Sequence, residues 1–452
     1  MVIKNLRNNG FFRSASVLVG GTAFAQVIAI VILPIITRVY SPEDFNTLAV
    51  YNSIISIIAV ISCLRLDIAI PLPDKDEDAI AILLMSLFFC FFTSFIIGVA
   101  LLTFSDKLTV LVNVKELNSF VWLIPIGVWV TGTYSALQYW ATRKNNFKLI
   151  AKTRVQQSIG GGGIQLLLGW LKITPLGLLF GQLVNNGAGV FNLSFSIISD
   201  KKFSFSCVNI RKMKSIFFEY KRFPLFSTFE ALANNVGIYL PIILIGSLAY
   251  GPEAGYLLLA TKIMIAPLSL VGGATAQVYL SKAPSEFRNN NLALYSKNIL
   301  IGLGRLGVGP LIFAGMTASS ILPLIFGPSW ERAGVMISWM TPWFIMQFLS
   351  SPISMALHVT NNQKTALYLQ VVGAILRISS VLFAYYVIQE NIVEYYALSG
   401  FVFYVIYFFT VTYNVGIKLR DVFSLLKKIY LFILLWFFLA VFLLFFLNDN
   451  RY

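Results

Sequence analysis

Apolar segments about twenty residues long recur from one end of the chain to the other. A helix of that length rises about 30 Å, which is the thickness of the hydrocarbon core of a bilayer. Hydrophobic residues make up 58% of the chain, which leaves too few polar residues to cover a water-soluble core. The sequence therefore predicts an all-α polytopic membrane protein. Thirteen spans are predicted, at residues 14–36, 45–70, 79–103, 118–141, 155–172, 174–198, 224–248, 254–280, 298–325, 335–358, 365–388, 392–415 and 426–447.

The cations of the chain gather in alternate loops. Residues 200–223 alone hold seven of them, and further clusters occur in the N-terminal tail and at residues 143–154, 281–297 and 416–428. Basic loops stay on the cytoplasmic side of a membrane, so this pattern predicts a cytoplasmic N-terminus and, with an odd span count, a C-terminus on the other side. The net charge of +15 then reflects topology and not nucleic-acid binding, because the cations share no soluble face.

One loop fits this assignment poorly. Residues 71–78, with the sequence PLPDKDED, are acidic, yet the span count places them on the cytoplasmic side. The loops assigned to the opposite side have few cations, and their acidic residues are Glu43, Asp44, Glu253, Glu331, Glu390 and Glu394.

The N-terminus resembles a signal peptide, because cations precede an apolar run that contains an Ala-Phe-Ala sequence at residues 23–25. The apolar run continues without a break to Ile36, which favours an uncleaved first span.

Two halves of the sequence have the same order of elements. The first and seventh spans each follow aromatic and basic residues, and each leads to a Pro-Glu turn, at Pro42 and at Pro252. Two six-helix lobes in the same orientation are typical of transporters built from repeats. The predicted organisation is an N-terminal lobe at residues 1–198, a basic inter-lobe loop at 199–223, a C-terminal lobe at 224–415, and a basic loop with an accessory helix at 416–452.

Two glycine-rich stretches resemble nucleotide-binding loops only formally. Residues 302–307 read GLGRLG, but they lie inside a long apolar run without a preceding strand, and residues 160–163 lack the Lys-Ser/Thr of a P-loop. Both are interpreted as small residues that let membrane helices pack closely or bend. No cofactor or metal site is predicted, so transport would draw its energy from a gradient.

Polar and ionisable residues within spans are costly, and they are therefore the candidates for a substrate pathway. Polar residues share helix faces in span four (Thr131, Ser135, Gln138 and Thr142), span seven (Ser227, Glu230 and Asn234), span ten (Gln347, Ser351, Ser354 and His358) and span eleven (Gln370, Gly373, Arg377 and Ser380). We expect these faces to border a wet cavity. The candidates for the substrate headgroup and cavity are Lys262, Arg305, Arg377, Gln138, Gln347 and Gln370, and those for ion coupling are Glu230 and Asp67.

Each candidate has a structural alternative. Asp67 and Arg65 would then form interfacial pairs with loop charges, and Glu230, Lys262, Arg305 and Arg377 would form buried pairs between helices. An excess of mid-span cations favours an anionic ligand group such as a diphosphate. We expect desolvation to bring the pKa of Glu230 near working pH, so that this residue would carry a coupling proton or bind Na⁺.

Three motifs together resemble the Wzx-type flippases of lipid-linked oligosaccharides, which belong to the superfamily of the multidrug and toxin extrusion (MATE) pumps. They are TRVYSPEDF at residues 37–45, preceded by Pro34; RLDIAIPLP at 65–73, followed by a run of Asp, Glu and Lys; and FGPSWE at 326–331 with Ala333 and Gly334. Pro352, before Asn361 and Gln363, adds to the resemblance. The sequence departs from the family at Asn46, where Gly is frequent, at Asp67, where Glu is common, and in its thirteenth span, which exceeds the usual twelve.

The resemblance implies a V-shaped, MATE-like pair of lobes in a bacterial inner membrane. The expected activity is the transfer of an undecaprenyl-diphosphate-linked O-antigen or related repeat unit of lipopolysaccharide to the periplasmic face, without an enzymatic step. H⁺ or Na⁺ would be the coupling ion, and membrane lipid, a polysaccharide polymerase and a chain-length regulator would be further partners.

Two other functions stay open at this stage, as does a purely structural membrane protein, which would have little use for polar faces within its spans. A MATE-type drug or metabolite antiporter would share the architecture, but a cationic drug favours an acidic cavity and the mid-span excess is basic. A polysaccharide polymerase or ligase would be expected to carry a sizeable periplasmic loop, whereas the longest hydrophilic stretch is the basic one assigned to the cytoplasm.

Overall fold

The computed structural model describes residues 10–112, 115–199, 209–360 and 362–449, and these residues form helices joined by turns. The chain divides into two compact units, residues 1–247 and 248–452. The helices of the first unit are α1 Gly10–Val39, α2 Pro42–Ser62, α3 Asp76–Val112, α4 Leu123–Arg143, α5 Phe147–Trp170, α6 Leu176–Ile198, α7 Ile210–Glu219 and α8 Thr228–Leu248. Those of the second unit are α9 Glu253–Pro267, α10 Gly273–Arg288, α11 Leu292–Leu303, α12 Gly309–Phe326, α13 Glu331–Ser350, α14 Gln363–Phe383, α15 Ile392–Val415 and α16 Leu419–Asp449.

Within each unit, a few central helices pack against two or three others. In the first unit α5 packs against α1 and α6, while α4 packs against α2, α3 and α6. In the second unit α13 packs against α9, α12 and α15, and α14 packs against α15. The C-terminal helix α16, predicted to be an accessory span, packs on α12, where Trp436 meets Phe313 edge to face. Short helical turns at Asp67–Ala69, Phe223–Ser227, Leu268–Gly272, Gly304–Val308, Pro328–Trp330, Ser351–Ile353 and Ala384–Ile388 connect or extend these helices.

A long helical segment occupies each of the thirteen predicted span positions. Nine segments of the described chain are long and apolar enough to cross a membrane, which shows a multi-pass membrane protein. The other four long helices, α4, α5, α6 and α13, contain more polar residues and fall short of that composition.

The second predicted span ends earlier than expected. Its start is a capping box in which Ser41 and Asp44 each bond the backbone N–H of the other, and Pro42 occupies the first turn, where its missing N–H is tolerated. The helix stops at Ser62, and Leu64 and Arg65 adopt left-handed φ values of 50° and 56°. The prediction of a helix to residue 70 was therefore wrong, because apolar composition does not register a backbone reversal.

The tenth predicted span is also interrupted. α13 ends at Ser350, Pro352 lies in a short turn, and helix resumes at Ala356. Because proline lacks the N–H that would continue the ladder, the predicted face from Gln347 to His358 does not form on one helix. The side chain of His358 lies outside the described residues.

Some of the glycines interpreted as packing residues do lie at close crossings. A Cβ atom at Gly161 would lie 2.9 Å from the carbonyl oxygen of Gly181, so α5 and α6 cross with their backbones in contact. Gly304 begins a widened helical turn and packs on Ile429, whereas positions 163 and 302 face open space. The close-packing interpretation is confirmed at Gly161 and Gly304.

The acidic loop at residues 71–78 lies against basic residues of the first unit. The Arg143 guanidinium bonds the Asp76 carboxylate at 3.0 Å, and Lys144 Nζ lies 2.7 Å from the same group. Lys212 of α7 lies 2.6 Å from Glu77. These contacts place three segments that were predicted on one side of the membrane at the same end of the unit. The loop that fitted the predicted topology worst therefore supplies carboxylates that pair with the basic residues of neighbouring segments.

Candidate functional site

The polar face predicted for span four is present on α4. We call Thr131, Ser135, Gln138 and Thr142 the polar row of α4; they are spaced three or four residues apart and so share one side of the helix. The row is half-buried, and three of its members bond side chains of other elements. The helical spacing of the row in the sequence does not reveal which elements its side chains contact.

Ser135 bonds a residue of the turn that follows α2. Its hydroxyl donates to Asp67 Oδ2 at 2.7 Å, and Asp67 is only 6% exposed. Arg65 lies in the same turn, and its buried Nε has no hydrogen-bond partner among the described residues. A carboxylate is therefore held against α4, and a guanidinium stands two residues before it in the same turn.

Gln138 binds an arginine that the sequence had assigned to a loop. Arg154 Nη2 donates to Gln138 Oε1 at 2.9 Å, and its guanidinium lies 5.3 Å from the centre of the Tyr134 ring. α5 begins at Phe147, capped by the side chain of Asn146, so Arg154 stands two turns inside the helix. The prediction of a loop to residue 154 was wrong, because it relied on the many cations of this segment and overlooked Asn146 as the cap of a helix.

Thr131 extends the polar contacts to α6. Asn186 Nδ2 lies 3.1 Å from Thr131 Oγ1, and Gln182 Nε2 bonds Asn186 Oδ1 at 3.0 Å. Gln157 of α5 donates to the carbonyl oxygen of Asn186 at 3.2 Å. Amides and hydroxyls of α4, α5 and α6 thus form one hydrogen-bonded network, in three of the helices that are less apolar than the other spans.

Arg377 of the second unit has a different environment. It is 6% exposed, and its guanidinium lies 4.7 Å from the centre of the Phe403 ring. Gly373, one turn earlier, leaves room for the same ring: a Cβ atom there would be 2.7 Å from it. Tyr404 packs against Phe403, and Trp343 stacks on Tyr404. Arg377 therefore lies in an aromatic cluster between α14 and α15.

The other predicted site residues are dispersed. Lys262 on α9 and Gln347 on α13 are half-buried, whereas Gln370 on α14 is exposed. Arg305 is also exposed, with its guanidinium 5.7 Å from the centre of the Phe432 ring on α16. Glu230 is exposed on α8 in the first unit. The predicted partnership of Glu230 with Lys262, and the roles of all these residues, stay predictions.

Sequence reasoning missed Arg332 altogether. Its Nε and Nη2 donate to the two carboxylate oxygens of Glu253 at 3.0 and 2.9 Å, and its Nη1 lies 2.6 Å from Glu394. Glu253 and Glu394 stand in the first turns of α9 and α15, where a carboxylate stabilises the positive end of the helix dipole. The three residues, which we call the Arg332 triad, join the starts of α9, α13 and α15. The only signal in the sequence was an acidic residue at each of two helix starts.

Residues 35–334 match the profile of a family described as polysaccharide biosynthesis protein. The chain belongs to this family. The match covers most of the chain and confirms the resemblance read from its motifs. No curated protein sequence matches the chain significantly.

Solved structures show the fold of this polysaccharide biosynthesis protein. A lipid II flippase MurJ in its inward closed conformation is 12% identical, with a TM-score of 0.70, over 96% of this chain and 98% of that one. An inward-facing multidrug resistance MATE family transporter of the MOP superfamily is 13% identical, with a TM-score of 0.62, over 86% and 94% of the two chains. A MOP superfamily transporter from Pyrococcus furiosus is 12% identical, with a TM-score of 0.56, over 88% and 95%. The chain has the all-α fold of these flippases and transporters.

Proposed function

We propose that this member of the family is a flippase for an undecaprenyl-diphosphate-linked O-antigen or related polysaccharide repeat unit. It would carry the unit from the cytoplasmic to the periplasmic face of the inner membrane, with its own N-terminus in the cytoplasm. The family and the transporter fold support a lipid-linked saccharide as the substrate. The observation that carries the proposal is the set of polar contacts among α4, α5 and α6, which comprises the network around Asn186 and the separate bond between Arg154 and Gln138.

The chemistry of these contacts suits a sugar. Each saccharide hydroxyl that leaves water without a partner costs several kcal/mol, roughly 4 to 8 in a medium without hydrogen bonds. The amides of Gln138, Gln157 and Asn186 and the hydroxyl of Thr131 both donate and accept, so they can exchange their present bonds for bonds to a hydroxyl. The prenyl tail would meanwhile stay in lipid.

Two arginines of the first unit suit the diphosphate. Arg154 is bonded to a neutral amide, so a phosphate oxygen can replace Gln138 as its acceptor without breaking an ion pair. Arg65 lies in the turn after α2, two residues before Asp67, with its Nε buried. We retain Lys262, Arg305 and Arg377 as headgroup candidates, and Gln347 and Gln370 with Gln138 as cavity residues.

Coupling to H⁺ or Na⁺ would act through Asp67 or Glu230. Asp67 is buried and bonded by a single described hydroxyl, so a proton or a cation would change its interactions most directly. Glu230 lies on an exposed face of α8. Alternate exposure of the bound substrate to the two sides completes the cycle.

The test is reconstitution of the purified protein in vesicles with a fluorescent prenyl-diphosphate oligosaccharide, with and without a pH or Na⁺ gradient. We expect the wild type to carry the oligosaccharide across, Arg154→Gln to do so much more slowly, and Asp67→Asn or Glu230→Gln to lose the dependence on the gradient. The exposed Lys282→Gln serves as a control for loss of one charge. Exchange of a small organic cation for protons, with no crossing of the lipid-linked sugar, would replace this proposal by a MATE-type antiporter.

A further inference from the structure

The short helix α7 lies where α3 enters the membrane. Asn209 caps it by accepting a hydrogen bond from the N–H of Arg211 at 3.0 Å. Lys212 Nζ lies 2.6 Å from Glu77 Oε2 and 3.1 Å from Asp78 Oδ1, in the first turn of α3. The apolar part of α3 starts immediately afterwards, so these ion pairs hold the N-terminal half of α7 at the level of the membrane surface.

One face of α7 packs along α3. Ile216 is buried, and the ring centroid of Phe217 lies 6.0 Å from that of Phe89. Phe89 stands twelve residues beyond Glu77, or about 18 Å further along α3 at 1.5 Å per residue. The C-terminal half of α7 therefore reaches toward the apolar part of the membrane span.

The opposite face of α7 combines cations with apolar side chains. Ile210 is 83% exposed and Phe218 is 57% exposed, and Arg211 and Lys214 are exposed between them. At 3.6 residues per turn these four side chains fall within about 100° of the helix circumference. We call them the α7 outer face. The ion pairs found among the described residues include Lys212 but neither of these two cations.

This composition fits one class of ligand at a membrane surface. Cations attract phosphate groups there, and apolar side chains of the same face enter the boundary between headgroups and acyl chains. A neutral lipid would leave the two charges without a counter-charge, and a soluble acidic peptide would leave Ile210 and Phe218 in water. An anionic phospholipid satisfies both halves of the face.

We propose that the α7 outer face binds the headgroup of an anionic phospholipid in the leaflet that surrounds the N-terminal end of α3. The lipid would hold α7 against the membrane while Lys212 holds it against α3. The inference is independent of the transported substrate, because an antiporter with the same helix would bind the same lipid.

The experiment uses the full chain in a neutral detergent with a fluorophore on Ser215→Cys, an exposed position beside the outer face. Cys207→Ser removes a competing thiol, while Cys63 and Cys90 are buried. Short-chain phosphatidylglycerol should produce a saturable fluorescence change at low ionic strength, and short-chain phosphatidylcholine should bind far more weakly. Each surface cation contributes about 1 kcal/mol, so Arg211→Gln with Lys214→Gln should weaken phosphatidylglycerol binding about thirtyfold.

The matched control is Lys282→Gln with Arg288→Gln, which removes two exposed cations from α10, at an end of the spans predicted to face the same side. Binding should be unchanged in this control. An equal loss of phosphatidylglycerol binding in the two double variants would assign the effect to net charge and overturn the proposal. Equal binding of the two phospholipids would also overturn it. Tighter binding of a prenyl diphosphate than of phosphatidylglycerol would assign the face to the transported lipid instead.

Discussion

The two units of the chain hold their buried and half-buried arginines in different ways. In the first unit Arg154 is bonded to the neutral amide of Gln138 and lies over Tyr134. In the second unit Arg377 lies in an aromatic cluster, and Arg332 is paired with two carboxylates. A neutral partner can be exchanged for a ligand at little cost, whereas a buried ion pair resists separation. The contrast indicates that the first unit offers the more exchangeable cation, although the sequence predicted halves of the same design.

The largest effect is expected from the Arg332 triad. Arg332→Ala leaves the buried carboxylate of Glu394 and the half-buried carboxylate of Glu253 without a cation, and should lower the free energy of unfolding by about 3 kcal/mol. Denaturant unfolding of the purified protein in detergent measures this. Lys297→Ala, which breaks a single ion pair to the 42% exposed side chain of Asp421, is the control and should cost much less. Equal losses would show that the triad is no more than a surface pair.

A smaller loss should follow from closing the contact between α5 and α6. Gly161→Ala places a methyl group 2.9 Å from the carbonyl oxygen of Gly181, and overpacking of this kind costs about 1 to 3 kcal/mol. Gly163→Ala on the same helix meets no atom within 4 Å and should be neutral or slightly stabilising. Thermal unfolding of the two variants compares them directly. Similar melting temperatures would contradict the close crossing of the two backbones.

The third prediction tests the difference between the two arginines. Arg154→Gln should reduce crossing of the lipid-linked oligosaccharide about tenfold, since a charged hydrogen bond contributes about 1.5 kcal/mol or more. Its loss of stability should be the smaller of the two, because its guanidinium is only half-buried and lies farther from its ring, 5.3 Å from the centre of Tyr134. Arg377→Gln should also lower stability by about 1 kcal/mol, because it removes the guanidinium from the Phe403 ring. Vesicle transport and unfolding are measured on both. A stability loss confined to Arg154→Gln would reverse the assignment.

The smallest effect concerns pH. Lys297 lowers the pKa of Asp421 below its ordinary value of 3.8 through their hydrogen bond. The pair therefore stabilises the fold above that value, and the contribution disappears as pH falls through the lowered pKa. Lys297→Gln should be slightly less stable than wild type at pH 6, and equal to it at a pH well below the lowered pKa of Asp421. A difference that persists at the lower pH would exclude this ion pair as its cause.

The positions of the helices were predictable, because the energy of burying an apolar segment in lipid depends on local sequence, although several helix ends lie six to nine residues from the predicted bounds. The errors occurred at Leu64, Arg65 and Pro352, where a few residues redirect the backbone within an apolar run. The face shared by Thr131, Ser135 and Gln138 was also predictable, since helical spacing alone defines it. The position of Arg154 inside a helix was not predicted, because the many cations of its segment indicated a loop although Asn146 caps a helix there.

The sequence by itself determined that this chain is an all-helical membrane protein, which of its residues are polar within spans, and, through its motifs, the family to which it belongs. Periodicity and composition suffice for these properties because each depends on neighbours along the chain. Only the tertiary structure decided that Gln138 meets Arg154, that Ser135 meets Asp67, and that Arg332 joins two glutamates more than fifty residues away. Such partnerships depend on which helices pack together, and no local pattern encodes that choice.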